Sequence, residues 1–382
     1  MRRSMPARRP ILPKNPREIL VTALCPIGDT LFLTPALGTL RRRFPRARIT
    51  AVVSASNRGV LQDNPDVDEL IVASDPGASL DVAHFIQGVR RVGQERPDLI
   101  INFSTGGSIV AMLAGLRAPQ FGLQLPRFFA LTGARDQEYR DRHAIDHYFK
   151  AVEPVAPPPL KAEERVPRFY LTPESRREAR ALLRAAGAGP GSVIVTMHVG
   201  GDGLNGRKRW APRRFARVAN ELIERFDAHI FLIGGGADIA ISQKTAALIQ
   251  GSVRMLAGET SLKVTGALIE ASSLFIGNDS SPLHIAAAVG SPSIGIYGPS
   301  DWTEFSPVAR SGYRGRLLHS DLACSPCFRF VGNAPLWQVN PCFSYACLKA
   351  IEPHHVLEAA VELLEVATPQ RDREPASAAD AR

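Results

Sequence analysis

Three loops of this 382-residue chain carry residue types suited to chemistry on an anionic ligand. The first is Gly277-Asn278-Asp279-Ser280-Ser281-Pro282-Leu283-His284, which follows the apolar run Leu274 to Ile276 and opens an Ala-rich segment closed by Gly290. Ser281 before Pro282 has the pattern of an N-cap and first helical residue. Small residues there leave backbone N–H groups exposed at a helix N-terminus, where phosphate binds and the dipole adds about 0.3 to 2 kcal/mol. The alternative is a capped turn with Asp279 as a local acceptor. His284, one turn in, either reaches the same anion or packs.

The second loop, Cys25-Pro26-Ile27-Gly28-Asp29-Thr30, follows the first apolar run of the chain. Gly28 permits a tight turn that would hold Asp29 at the lip of a cleft. There Asp29 is either a general base, a role worth typically about 10²- to 10⁴-fold, or a helix cap. The third loop runs from His198 to Trp210 and is glycine-rich, ending in Arg207-Lys208-Arg209. Lys208 supplies a point charge and either arginine a planar fork, a set that grips a diphosphate or else forms a solvated basic surface. In Gly234-Gly235-Gly236-Ala237-Asp238, Asp238 either holds a ribose hydroxyl or caps a turn. The chain lacks the P-loop spacing, and no G-x-G-x-x-G follows its first run, which disfavours an NTPase or a nicotinamide enzyme. Asp66-Val67-Asp68 and the Cys324, Cys327, Cys342, Cys347 series imitate metal sets. The acids sit at a strand entry and the cysteine spacing misses that of a zinc ribbon, so a solvated strand entry and buried thiols are expected instead.

These loops need strands to carry them. Apolar runs at Ile19 to Leu24, Ile49 to Ser54, Glu69 to Ala73 and Leu99 to Phe103 alternate with helical patterns from Thr34-Pro35 to Phe44 and near 81–95 and 107–116. Alternation of this kind means parallel βαβ units with both sheet faces covered. Four prolines in Pro154 to Pro159 mark a linker, after which strands at 193–197, 229–233, 254–256, 274–276 and 293–297 alternate with helices at 173–186, 212–226, 237–250, 261–271 and 282–289. The expected fold class is α/β, as two doubly wound domains facing a central cleft. The divisions are a basic arm at 1–16, a first domain at 17–153, a linker at 154–163 and a second domain at 164–352. An amphipathic helix at 353–366 and a polar tail at 367–382 close the chain.

Composition narrows the partner. The net charge of +9 is concentrated early, with 21 basic and 15 acidic residues before position 154 against 25 and 22 after it. A basic first half suits a nucleotide, an anionic lipid surface or nucleic acid, although no nucleic-acid module is recognisable. The uncharged stretches of spanning length, such as 280–300, are broken by Pro, Gly and Ser rather than continuously apolar, so no spanning helix is expected; five cysteines do not make a secreted disulfide framework, and a cytoplasmic protein is expected.

Four segments then carry a resemblance: ILVTALCPIGDTLFLTPALGTLRRRFPRARITAVVS at 19–54, HAIDHYFKAV at 143–152, KRWAPRRFARVANEL at 208–222 and GNDSSPLHIAAAVGSPSIGIYGPSDWTEFSP at 277–307. In this order they resemble the ADP-heptose:lipopolysaccharide heptosyltransferase family, glycosyltransferase family 9, and CSPCFRF at 324–330 is similar to its Cys-rich stretch. The resemblance implies a GT-B fold of two Rossmann-like domains, with acceptor on the first, nucleotide-sugar on the second, and the 353–366 helix crossing back to the first. It implies an inverting transferase at the cytoplasmic face of the inner membrane, in peripheral contact with it. Such an enzyme moves heptose from an ADP-sugar donor to an acidic glycolipid acceptor of the lipid A-Kdo core type, with no cofactor and no metal required. By motif position, Asp29 matches the base and Lys208 the phosphate-binding lysine. Asp279 with Ser280 and Ser281 matches the loop holding sugar and diphosphate. His284 and His198 match nucleotide-sugar-site histidines, Asp238 falls near a ribose-binding Glu, and Gly28, Gly277 and Asn278 support the turns. Ser281, Val199 and Asp238 depart from the usual residues. Two alternatives accompany this reading: a relative using another nucleotide-sugar for polysaccharide or glycolipid synthesis, and a non-catalytic nucleotide-binding homologue.

Overall fold

The apolar run after Arg17 becomes β1 (Glu18–Ala23), buried from Ile19 onward as a strand covered on both faces must be. It belongs to a computed structural model that describes residues 13–73, 82–104, 114–122, 143–158, 161–201, 206–327, 330–331, 334–335, 342 and 344–367. Most of the expected arm, the polar tail after 367, residues 107–113 of the expected 107–116 helix and Asp202 to Asn205 lie outside that set.

After β1 come α1 (Ile27–Phe32), α2 (Thr34–Arg43), β2 (Arg48–Ser54), α3 (Arg58–Leu61), β3 (Glu69–Ala73), α4 (Val82–Gln94), β4 (Leu99–Asn102), β5 (Gln120–Gly122) and α5 (Ala144–Val152). The strands form one parallel sheet in the order β3-β2-β1-β4-β5, with Val21 level with Ala51 on one side and Ile101 on the other. The second unit runs α6 (Pro173–Ala185), β6 (Ile194–His198), α7 (Pro212–Phe226), β7 (His229–Leu232), α8 (Ile239–Ala246), β8 (Val253–Met255), α9 (Leu262–Glu270), β9 (Leu274–Asn278), α10 (Ser281–Val289), β10 (Ser293–Ile296), α11 (Trp302–Phe305) and β11 (Gly315–Leu318). It ends in α12 (Ala346–Ala350) and α13 (Pro353–Ala367). Its sheet is also parallel, in the order β11-β10-β9-β6-β7-β8. In each sheet the chain reverses its direction of build, at β1/β4 in the first and at β6/β9 in the second. Ligands collect beyond the carboxyl ends of strands at such switch points. The loops after β1, β6 and β9 are the three with the chemistry.

Two expectations need correction. The linker expected at 154–163 does not carry the chain across. Val155 and Ala156 turn back into buried positions behind α5, Glu164 pairs with Arg42 at 3.6 Å and Arg165 pairs with Asp146. The Arg168 amide still donates to the Thr34 hydroxyl, at 2.9 Å, so the passage to the second sheet comes after Arg168 rather than at 164. The last helix, expected to cross back to the first domain, stays with the second. Val356, Ala360, Leu363 and Leu364 are buried in one cluster with Phe215, Val218 and Leu222 of α7 and with Ile276 and Ile294 of the sheet. Arg316 pairs with Glu362, and Arg314 donates to the Leu363 carbonyl at 3.1 Å. The apolar stripe fits the nearest uncovered face, and these polar contacts hold it there.

The two units meet along the cleft. Lys263 of α9 donates to the carbonyls of Gln62 in the first unit and of Tyr170 between the units. His143, which caps α5 by accepting from the Ile145 amide through Nδ1, donates from Nε2 to the Ser306 carbonyl at 2.7 Å.

Candidate active site

Asp29 is the third residue of α1, a short helix that the reading of this stretch as a loop missed. Pro26 is its N-cap residue and no side chain caps it, so Asp29 is not engaged as a cap. Its carboxylate instead accepts from the Tyr148 hydroxyl of α5, at 2.7 Å through Oδ1. Asn57 holds the turn before α1 from below, donating to the Ala23 and Cys25 carbonyls and to Thr30 Oγ1 at 2.7 to 2.8 Å. Burial pushes the Asp29 carboxyl above the usual range; the Tyr148 bond and the charge on Lys208 pull it part of the way back. Gly28 has ordinary helical backbone rather than a turn conformation, and a Cβ there would lie 3.5 Å from His284 Cδ2 of α10. At this point the two units come into near contact.

Opposite Asp29, Lys208 Nζ bonds Asp279 Oδ2 at 2.6 Å, with the lysine partly exposed and the carboxylate buried. Lys208 also lies 5.9 Å from the Phe305 ring centroid, within reach of a weak cation–π attraction. Burial alone would raise the Asp279 carboxyl; Lys208, together with His284 and Ser300, outweighs it and holds the group below its usual range. Asp279 also acts on Asp29 from across the cleft, opposing Lys208. One carboxylate of the first unit and a cation–carboxylate pair of the second thus face a common space.

The loop after β9 is built from Asn278. Its Oδ1 accepts from the Trp210 amide at 2.9 Å and its Nδ2 donates to the Val199 and Gly200 carbonyls, tying the β6 loop to the β9 loop. Gly277 must be small, because a Cβ would meet Phe275 Cζ at 2.7 Å. The helix starts one residue earlier than expected: Ser280, with extended backbone, is the N-cap position, and Ser281 is the first residue of α10.

Asp238 has partners within the protein at both carboxylate oxygens. Its Oδ1 accepts from the Gly201 amide at 3.1 Å, and its Oδ2 accepts from the Gly235 amide at 2.9 Å and meets His198 Nε2 at 3.3 Å. These bonds and the His198 contact overcome burial and hold its carboxyl at about 2. A Cβ on Gly200 would fall 1.9 Å from Asp238 Oδ1, so the loop is folded directly onto this carboxylate. His198 passes the contact on through Nδ1 to Ser280 Oγ, at 2.8 Å. Asp238, read as a candidate ribose contact or turn cap, thus belongs to an Asp238–His198–Ser280 chain that joins the loop after β7, the end of β6 and the loop after β9.

His284 packs instead of projecting. Its ring lies 4.6 Å from that of Phe32, which itself lies 5.2 Å from His143. Burial depresses His284 to about 4, so it is neutral, and its Nδ1 has no hydrogen-bond partner among the described residues. Sequence reasoning missed Tyr148 and His143, neither of which stands in a loop after a strand motif, and Asn57, in the short loop between β2 and α3. Asp68, of the acidic pair, is used to pin the β2 entry through the Ile49 amide and Arg41. No group of three or more His, Cys, Asp or Glu side chains among the described residues is placed to hold a metal.

Comparison with known proteins bears on this geometry. A profile of glycosyltransferase family 9 (heptosyltransferase) matches residues 118–337, more than half of the chain. Lipooligosaccharide heptosyltransferase 2 of Campylobacter jejuni is 24% identical over an alignment covering 89% of this chain and 96% of that one. Among solved structures, a family 9 glycosyl transferase from Veillonella parvula superposes with a TM-score of 0.75 at 24% identity, covering 92% and 98% of the two chains. The ADP-heptose lps heptosyltransferase II of Escherichia coli superposes at 0.69 with 21% identity, covering 92% and 99%. The two-sheet architecture is that of the GT-B fold.

Proposed function

This chain belongs to glycosyltransferase family 9 (heptosyltransferase), and from that premise we propose that it transfers a heptose from ADP-heptose to a sugar hydroxyl of a lipopolysaccharide inner core, with inversion at the anomeric carbon. The observation that carries the reading is the placement of Asp29 across the cleft from the Lys208–Asp279 pair. A transferase needs a base on the acceptor side and positive charge on the leaving-group side. Asp29 takes the acceptor hydroxyl proton as that oxygen attacks the anomeric carbon in line. The bond from that carbon to the diphosphate oxygen breaks, and ADP leaves with the electron pair. Lys208 and the first turn of α10 neutralise the charge that develops on it. With those groups in place the reaction requires no metal. Asp279, already bonded to Lys208, holds the ammonium at the cleft.

The acceptor is an acidic glycolipid of the lipid A-Kdo core type, met at the inner face of the inner membrane by peripheral contact. The basic first half and the names of the relatives support this, and no helix of the described residues is long and apolar enough to cross a membrane. The inward-turned Asp238 favours, as the second reading, a relative that takes another nucleotide-sugar.

A thermal-shift panel of ADP, UDP, GDP and a random oligonucleotide separates these readings. At about 100 times its Kd a ligand adds about 2.7 kcal/mol, which is a shift of several degrees. Stabilisation by ADP alone is expected. A shift confined to UDP or GDP replaces the donor, and one confined to the oligonucleotide refutes the transferase reading.

A further inference from the structure

The mechanism above gives Tyr148 no part, yet its hydroxyl is bonded to the base. The residue lies on α5, 119 positions from Asp29, with 8% of its surface exposed and its ring set edge-on to Phe103 at 5.9 Å between centroids. A buried tyrosine hydroxyl needs a partner, and the only hydrogen bond described for this one is to Asp29 Oδ1, at 2.7 Å. Burial and the neighbouring Asp29 charge raise Tyr148 well above the ordinary tyrosine range, so it keeps its proton and always donates. An aspartate carboxylate has a broad, roughly two-fold terminal torsion and is not oriented by its own rotamer preference. Something else must aim it.

We propose that Tyr148 is a positioning residue for the transfer step: by donating to Oδ1 it fixes the plane of the Asp29 carboxylate and leaves Oδ2 to accept the acceptor's proton. The helix that carries it is capped by His143, whose Nε2 bonds the Ser306 carbonyl of the second unit. The aim of the base is therefore set by the helix that also touches the donor-side unit. The proposal rests on Asp29 being the base.

Tyr148→Phe keeps the ring and removes only the hydroxyl. With ADP-heptose and a Kdo-terminated lipid A acceptor, kcat is expected to fall about 10- to 100-fold with little change in donor KM. The acid limb of kcat/KM moves to higher pH in the variant. An O–H donated to a carboxylate favours its charged form, so losing it leaves Asp29 protonated up to a higher pH. Wild-type rates, or a slower enzyme whose acid limb has not moved, overturn the proposal. A ¹³C titration of the Asp29 carboxyl in wild type and Tyr148→Phe reads the same bond without turnover. The midpoint is expected to rise in the variant, and coincident midpoints overturn the proposal. Wild-type turnover in Asp29→Asn would instead remove the base reading itself.

Discussion

Replacing Asp29 with Asn is expected to lower transfer by about 10²- to 10⁴-fold while ADP affinity stays within about twofold. The amide keeps the shape of the side chain, and its oxygen still accepts from Tyr148, so α1 and its packing against α10 are retained. It cannot take a proton. Donor binding should be spared because Lys208, Asp279 and the start of α10 belong to the other unit. The same carboxylate sets the pH profile. Burial raises its pKa more than Tyr148 and Lys208 lower it, so activity falls, as pH drops, through a value above the ordinary aspartate range. A protonated carboxyl cannot accept a second proton, and the acid limb should vanish in the variant. Steady-state rates between pH 4 and 8 check this, alongside ADP titration calorimetry.

Lys208→Ala is expected to act on both binding and chemistry. Charge that develops on the leaving diphosphate loses its cation, which typically costs about 10²- to 10³-fold in turnover. Ground-state ADP binding weakens as well, since the same ammonium attracts the bound diphosphate. A structural cost accompanies these losses. Asp279 is buried and paired with Lys208 at 2.6 Å, and removing one partner of a buried pair costs about 3 to 5 kcal/mol. The double variant Lys208→Ala/Asp279→Asn separates the two effects: it should regain much of the lost thermal stability and none of the turnover. A Lys208→Ala enzyme with wild-type kcat and ADP affinity would remove the leaving-group role.

Much of the scaffold was legible because its strands are buried on both faces. Continuous runs such as Ile19 to Leu24 and Leu274 to Ile276 have no other economical use, and Thr34-Pro35 marks a helix start to within one residue. The edge strands β5 and β11 went unseen, being three and four residues long and only partly buried. Helix α1 was hidden for a related reason: Ile27-Gly28-Asp29 offers too little periodicity to separate a short helix from a turn. The stripe on α13 showed that the helix must cover something, but an apolar face carries no address, and the family expectation of a crossing was wrong for this chain.

At the site, Asp29, Lys208 and Asp279 could be singled out because each follows a strand at a place where parallel sheets bind ligands. Their mutual approach could not be, since it depends on how two sheets are set against each other. Asp238, His198 and Ser280 were read as separate ligand contacts. Only the adjacency of β9, β6 and β7 turns them into one inward-facing chain. Tyr148 lies in the middle of an amphipathic helix, where an aromatic residue most often belongs to the core. Its ring does belong there, against Phe103; its hydroxyl does not.

The central claim is that the two halves of the cleft perform an in-line transfer from ADP-heptose. It is tested most directly by incubating the protein with ADP-heptose and a Kdo-terminated lipid A acceptor and determining the products by NMR. One ADP released for each heptose transferred, and a new linkage whose anomeric configuration is opposite to that of the donor, is the predicted result. A product that retains the donor configuration, or an acceptor left unmodified while ADP-heptose is bound, would contradict it.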